Sequence, residues 1–122
     1  MCFSATASFG SAVLLTSVGV ATVRYSSPKA YRLFAAIPLL FGVQQAAEGV
    51  VWMTVGQDST LHQISVLGFL GIAVVIWPSW LPWSALLIET DPKRRIILKV
   101  LCGMGVFVSA LAAVSSFRSC SV

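Results

Sequence analysis

The longest run without a charged residue includes Ile64 to Ile88, and it reads ISVLGFLGIAVVIWPSWLPWSALLI. At about 1.5 Å of rise per residue, a helix of this length crosses the ~30 Å hydrocarbon core of a bilayer. Pro78 and Pro82 each lack a backbone N–H group, so we expect the helix to be broken or kinked at this point. The stretch therefore predicts a transmembrane helix that is interrupted at Pro78/Pro82.

Three more apolar stretches accompany this one. Of the 122 residues, 57% are hydrophobic and only 10% are charged, and the mean hydropathy is +0.91. A soluble domain carries about 25% charged residues, so this composition excludes that class. We predict an all-α fold, an integral membrane bundle of four transmembrane helices in a single domain of residues 1–122. The predicted helices cover residues 4–23, 33–55, 64–88 and 96–117.

The first and last predicted helices carry small residues at every fourth position. Stripes of this kind let the backbone of a neighbouring helix approach closely, so we expect both to form helix–helix contacts. Their members are Ser4, Ser8, Ala12 and Thr16 in the first helix, and Gly105, Ser109 and Ala113 in the last.

The basic residues of the loops indicate the orientation. They cluster in the first and third loops, whereas the loop over residues 56–63 has none. Positively charged loops stay in the cytoplasm, so we expect both termini on the extracytoplasmic side of a cytoplasmic (inner) or thylakoid-like membrane. We interpret the net charge of +4 as topology and as contact with lipid headgroups, not as a nucleic-acid site. The clusters are Arg24, Lys29 and Arg32, and Lys93, Arg94, Arg95 and Lys99.

Glu48 is an ionisable residue within the second predicted helix, roughly 10 Å from its outer end at ~1.5 Å per residue. A charged carboxyl at such a depth is costly, so we expect Glu48 to face the protein interior. Helical spacing places Gln44 and Trp52 on the same face, with Gln45 at its border. One interpretation is a proton, cation or cofactor-ligand site. The other, which we favour, is a neutral Glu48 that holds helices together by hydrogen bonds.

His62 is the single histidine, and we expect it in the outer loop. A metal site would need further ligands, and only Asp58 is close in sequence, so a solvated loop histidine is the favoured interpretation and no metal is predicted. An axial ligand to a pigment or haem is the alternative.

The tryptophans near the prolines also allow two interpretations. Trp77, Trp80 and Trp83 lie toward the inner side of the third helix and fit an aromatic belt at the headgroup level, which we favour. The alternative is a lipid or ring-shaped cofactor site at the proline break. Glu89, at the inner mouth, is expected to pair with Arg94 or Arg95 in water.

The three cysteines and the few other reactive side chains indicate whether a disulfide or a catalytic site is expected. Cys102 should be buried and inert, and Cys2 and Cys120 are expected on the same outer side, where a disulfide is a hypothesis. One histidine and four scattered carboxylates do not supply a nucleophilic triad, so no catalytic residue is predicted.

Three segments resemble a family of uncharacterised, mainly bacterial, multi-helix membrane proteins. The opening residues 1–9 read MCFSATASF, and residues 36–52, AIPLLFGVQQAAEGVVW, are similar to the family's Gln-Gln-x-x-Glu-Gly-x-x-Trp helix. Trp77-Pro78, Pro82 and Glu89 before a basic run are similar as well. The resemblance implies a helical membrane protein with a polar motif at Gln44, Gln45, Glu48 and Trp52, and it implies no reaction. Family members are longer, so this chain resembles a C-terminally abbreviated one.

We therefore expect a non-enzymatic small integral membrane subunit that packs in a homo-oligomer or in a larger membrane complex, including one that holds pigments or redox cofactors. No cofactor is assigned. The alternative is a small oligomeric transporter or channel in which Glu48 is the proton or cation site and the break at Pro78/Pro82 is the gate. A membrane enzyme that takes its remaining ligands from a partner chain is a third interpretation.

Overall fold

The computed structural model describes residues 4–120, apart from the side chain of Cys120, and this part of the chain is helical without strands. Its helices form four stretches that are long and apolar enough to cross a membrane, which confirms the all-α class and the four spans. The helices are α1 (Ala5–Tyr25), α2 (Arg32–Ala35), α3 (Ile37–Thr54), α4 (Thr60–Gly71), α5 (Trp77–Ile88) and α6 (Pro92–Cys120), with a 3-10 turn at Lys29–Tyr31 and a π-helical turn at Ile72–Ile76.

The distribution of side chains is the reverse of that in a soluble protein. Among the described residues, Ala12 and Cys102 are the buried hydrophobic residues, and the fully buried side chains are those of Ser8 and Ser84. Large apolar side chains such as Val13, at 70% exposure, cover the outside. Small residues inside and large apolar residues outside suit helices that hydrocarbon solvates, because lipid gives no hydrophobic drive to bury large side chains between helices.

Two helices begin four residues earlier than predicted, because each has an N-terminal cap. Ser59 accepts a hydrogen bond from the backbone N–H of His62 at 3.2 Å, so α4 begins at Thr60. Asp91 accepts from the N–H of Lys93 at 2.8 Å, and Pro92 occupies the first position of α6. The loop between α3 and α4 is therefore shorter than the predicted 56–63.

The chain divides into two compact units between Leu70 and Gly71, and each is described separately. In the first unit, α1 packs against α3 through small residues. A Cβ on Gly19 would lie 2.7 Å from the Cα of Leu39, and one on Gly42 would overlap the hydroxyl of Thr16. Ala12 is buried as well. The predicted close approach along the stripe of α1 is thus confirmed.

In the second unit, α6 packs against α5 and the π-helical turn. A Cβ on Gly105 would overlap the carbonyl oxygen of Pro78, so the backbones of α5 and α6 are in direct contact there. The hydroxyl of Ser109 donates to the carbonyl oxygen of Val75 at 2.6 Å. Gly105 and Ser109 therefore contact the neighbouring helix, as their spacing predicts.

The irregularity in the third span lies before the prolines. The N–H of Trp77 bonds to the carbonyl of Ile72, five residues back, and α5 then continues through Pro82 to Ile88. Because a proline ring disturbs the carbonyl four residues earlier, the effect of Pro78 falls on Val74 within the π-helical turn. The break expected at Pro78/Pro82 is instead a π-helical turn just before Pro78, and the helix continues through both prolines.

Candidate functional site

Glu48 is the buried carboxyl of the first unit. It lies on α3 and is 7% exposed, which confirms that it faces inward. The side-chain amide of Gln45 donates to Glu48 Oε2 at 3.0 Å, and the two residues are three positions apart on the same helix. The buried carboxyl of Glu48 thus accepts a hydrogen bond from a residue of its own helix, so this bond does not depend on a second helix.

The surroundings of Glu48 are set by the contact between α1 and α3. A Cβ on Gly49 would lie 2.8 Å from the ring of Phe9, so the two helices meet beside Glu48. Ser8, next to Phe9, is fully buried, and its hydroxyl has no hydrogen-bond partner among residues 4–120. Ser8 and Glu48 are each the chain neighbour of a residue in this contact, on α1 and α3 respectively. The sequence indicated Ser8 only as a packing residue.

Gln44 and Trp52 lie one turn before and one turn after Glu48 on the continuous helix α3. Gln44 is half-buried, and Trp52 is 43% exposed. Because α3 is helical throughout these residues, positions four apart lie on one face, as predicted for Gln44, Glu48 and Trp52. The turn of α3 that ends at Glu48 thus contains one carboxyl and two side-chain amides, and oxygen ligands of this kind suit protons or hard cations.

His62 does not lie in a loop, so that prediction is wrong. It belongs to the first turn of α4 and is half-buried, because Ser59 caps the helix ahead of it. Its Nδ1 lies 2.9 Å from the hydroxyl oxygen of Thr54, the last residue of α3. The Thr54 hydroxyl is also 2.8 Å from the carbonyl oxygen of Val50. If that hydroxyl donates to Val50, Nδ1 carries the proton and a neutral ring offers Nε2 as an acceptor.

No group of three or more histidine, cysteine, aspartate or glutamate residues within residues 4–120 is placed to hold a metal ion. Asp58, the one neighbour considered for His62, is exposed. Cys102 is buried, as predicted. Cys2 and the Cys120 side chain lie outside the described residues, so their disulfide stays a prediction.

The tryptophans belong to the second unit. Trp77 and Trp80, on the first turn of α5, are half-buried, and Trp83 is 55% exposed. The exposed ring of Trp83 suits contact with the headgroup region. Trp77 and Trp80 stay candidates for either the belt or a binding site.

The loop between α5 and α6 is held by charged side chains. Arg94 lies 4.0 Å from Glu89, as predicted. Arg95 donates instead to the backbone carbonyl of Glu89, at 2.8 Å, near the end of α5. The pair with Arg94 is a surface interaction and contributes at most about 1 kcal/mol.

An open groove of about 580 Å³ runs along α1. Its walls include Phe9, Thr16 and Ser17 on α1 and Ala46 on α3. Ser17 is exposed, and its hydroxyl donates to the carbonyl of Val13 in its own helix at 2.8 Å. The groove therefore presents mainly methyl and methylene groups in place of free polar groups.

Comparison with known proteins places the chain in one family. No curated protein and no solved structure matches it. The match to a family model extends over residues 1–120, nearly the whole chain. The chain thus belongs to the family described as "Family of unknown function (DUF6629)".

Proposed function

We propose that this protein is a non-enzymatic, small integral membrane subunit that packs against transmembrane helices of other chains, either copies of itself or members of a larger complex. Such a complex could carry pigments or redox cofactors. We also propose that the Gln44, Gln45, Glu48 and Trp52 motif is shared by a mainly bacterial family, and that both termini are extracytoplasmic in a cytoplasmic (inner) or thylakoid-like membrane.

The main observation that supports this proposal is the groove along α1. Its small and hydroxyl-bearing walls, Ala12, Thr16, Ser17 and Ala46, resemble the surfaces on which membrane helices approach closely. The hydroxyl of Ser17 is already bonded within its helix, so a second helix can cover it without leaving a polar group unpaired. The occupant that this surface favours is a transmembrane helix of another chain.

The test is purification of the full chain from its native membrane in mild detergent, followed by native mass spectrometry. We expect a defined assembly, and we expect Ser17→Leu to lower the assembled fraction by filling the groove. Ser115→Leu is the matched control, because Ser115 is also exposed and bonds to its own helix at Leu111. A monomer without partners, or equal loss of assembly in both variants, would contradict the proposal.

A second candidate function is a small oligomeric transporter or channel with Glu48 as its proton or cation site. The buried carboxyl and its bond to Gln45 favour it, since ionisable groups at membrane depth commonly mark ion pathways, and so does the Ser8 hydroxyl, which has no partner within residues 4–120. In liposomes, we expect proton or cation flux that Glu48→Gln abolishes. Glu89→Gln, at a carboxyl in the loop after α5, should leave the flux unchanged. Absent flux in the parent chain excludes this function.

A further inference from the structure

The bend between α2 and α3 forms a second cleft in the first unit. Pro38 stands in the first turn of α3, and the residues before it fold into the short helix α2 and a 3-10 turn. The resulting cleft has a volume of about 390 Å³, within the ~300–1,000 Å³ typical of small-molecule sites. It is lined by Thr22, Tyr31, Phe34, Ala35, Ile37 and Pro38.

The walls of this cleft are apolar, although the lining residue Thr22 has a hydroxyl group. The Thr22 hydroxyl lies 2.7 Å from the carbonyl oxygen of Ala35 and 3.0 Å from that of Gly19. The hydroxyl is therefore engaged by backbone carbonyls, and the side chain can present its methyl group. The rings of Tyr31 and Phe34 and the apolar side chains of Ala35, Ile37 and Pro38 supply the remaining surface. A surface of this chemistry accepts a hydrocarbon chain.

Three basic residues neighbour the lining residues of this cleft along the chain. Lys29 begins the 3-10 turn that contains Tyr31, Arg32 follows Tyr31, and Arg24 lies two residues after Thr22. All three basic residues are exposed, and within residues 4–120 none of them has a carboxylate partner. No acidic residue precedes Glu48 in the sequence. An apolar cleft beside uncompensated positive charge complements an amphipathic anion.

The other basic cluster differs in this respect. Arg94 pairs with Glu89, and Arg95 donates to the carbonyls of Leu86 and Glu89. Asp91 lies in the same loop. The positive charge after α5 is thus partly neutralised by the chain itself, whereas the charge of Arg24, Lys29 and Arg32 is available to a ligand.

We propose that this cleft binds one anionic phospholipid, with an acyl chain against Tyr31, Phe34 and Ala35 and the phosphate against Lys29 and Arg32. The phosphate accepts hydrogen bonds from both cations, and the hydrocarbon replaces solvent in the cleft. The cations select an anionic over a zwitterionic headgroup, and the cleft selects a lipid over a free phosphate ester.

The full chain in mild detergent, titrated with phosphatidylglycerol or phosphatidylcholine and followed by native mass spectrometry, tests this site. We expect one phosphatidylglycerol molecule to be retained preferentially. The double variant Lys29→Gln/Arg32→Gln should weaken its retention by about 10- to 30-fold, as expected for two lost contacts between a cation and an anionic lipid. Lys93→Gln/Lys99→Gln removes the same charge elsewhere and should have little effect.

Two further arms separate the roles of cleft and charge. Ala35→Phe fills the cleft and should reduce lipid retention while Lys29 and Arg32 remain, with circular dichroism as the check on folding. Glycerol 3-phosphate, which has the headgroup charge without acyl chains, should not bind measurably. Equal retention of the two lipids, equal losses in both double variants, or binding of glycerol 3-phosphate at the affinity of the lipid would overturn the proposal.

Discussion

Single glycines and serines determine how closely the helices approach. At Gly19 and Gly105 the facing backbone of another helix occupies the space that a Cβ would need, whereas nothing lies within 4 Å of a Cβ built on Gly10 or Gly103. Glycines of one helix therefore differ in role according to the face on which they lie. The contact at Gly19 positions α1 against α3, the helix that carries Glu48, and the contact at Gly105 positions α6 against α5.

The first prediction concerns Gly19→Ala. The new methyl group would collide with the backbone of Leu39, which cannot move aside as a flexible side chain can. We expect a loss of roughly 1–3 kcal/mol in the free energy of unfolding, the usual cost of overpacking. Denaturation in detergent micelles, followed by circular dichroism, measures it.

Gly10→Ala is the control for this substitution on the same helix. Its methyl group meets open space, and alanine is the better helix former, so stability should stay level or rise by less than about 1 kcal/mol. Equal destabilisation by the two variants would show that the contact between α1 and α3 is not as described.

At the scale of elements, the third span shows how a polar backbone group is satisfied in lipid. The π-helical turn Ile72–Ile76 changes the hydrogen-bond ladder ahead of Pro78. The carbonyl oxygen of Val75 accepts from the hydroxyl of Ser109 on α6 at 2.6 Å, and the hydroxyl of Ser79 lies 3.0 Å away. Irregular backbone at membrane depth is tolerated where such partners exist, so α6 stabilises the irregular turn.

The second prediction is that Ser109→Ala destabilises the second unit by about 0.6 kcal/mol, the average for hydrogen bonds between membrane helices, and by no more than the maximum of about 1.7 kcal/mol. The loss comes from the bond to Val75 that links α6 to the third span. Ser116→Ala is the matched control, because the Ser116 hydroxyl is exposed and bonds to Ala112 in its own helix. Detergent unfolding curves that coincide for the two variants would contradict the prediction.

At the scale of the whole molecule, charge and hydropathy determine which parts enter the membrane. The four spans alternate with loops, and the short loop between α3 and α4 has no basic residue. Excess positive charge holds a loop in the cytoplasm, so the orientation proposed above follows from the distribution of lysine and arginine.

The third prediction tests that orientation by labelling. In a chain whose native cysteines are replaced, Gln57→Cys should react with a membrane-impermeant maleimide added to intact cells. Ala30→Cys should react only after the membrane is opened. Both positions are exposed, so a difference in labelling reports the side of the membrane and not burial. The reverse result would place both termini in the cytoplasm.

Much of the candidate site follows from the sequence. A carboxyl at Glu48 inside an apolar helix must be buried and hydrogen-bonded, and its partner Gln45 lies at helical spacing. The position of His62 could not be predicted as easily. A single serine, Ser59, extends α4 by one turn and turns a predicted loop residue into a partner of Thr54.

The sequence by itself determined that four helices are apolar enough to cross a membrane and that Glu48 lies inside one of them, because both conclusions rest on how residue types partition between water and hydrocarbon along one chain. Only the tertiary structure decided which small residues face another helix, that Ser8 is buried without a hydrogen-bond partner among the described residues, and that a cleft forms at Tyr31 and Phe34. Those features depend on the rotation and register of one helix against another. Hydropathy cannot report them, since neighbouring apolar faces of a membrane helix are nearly equivalent in lipid.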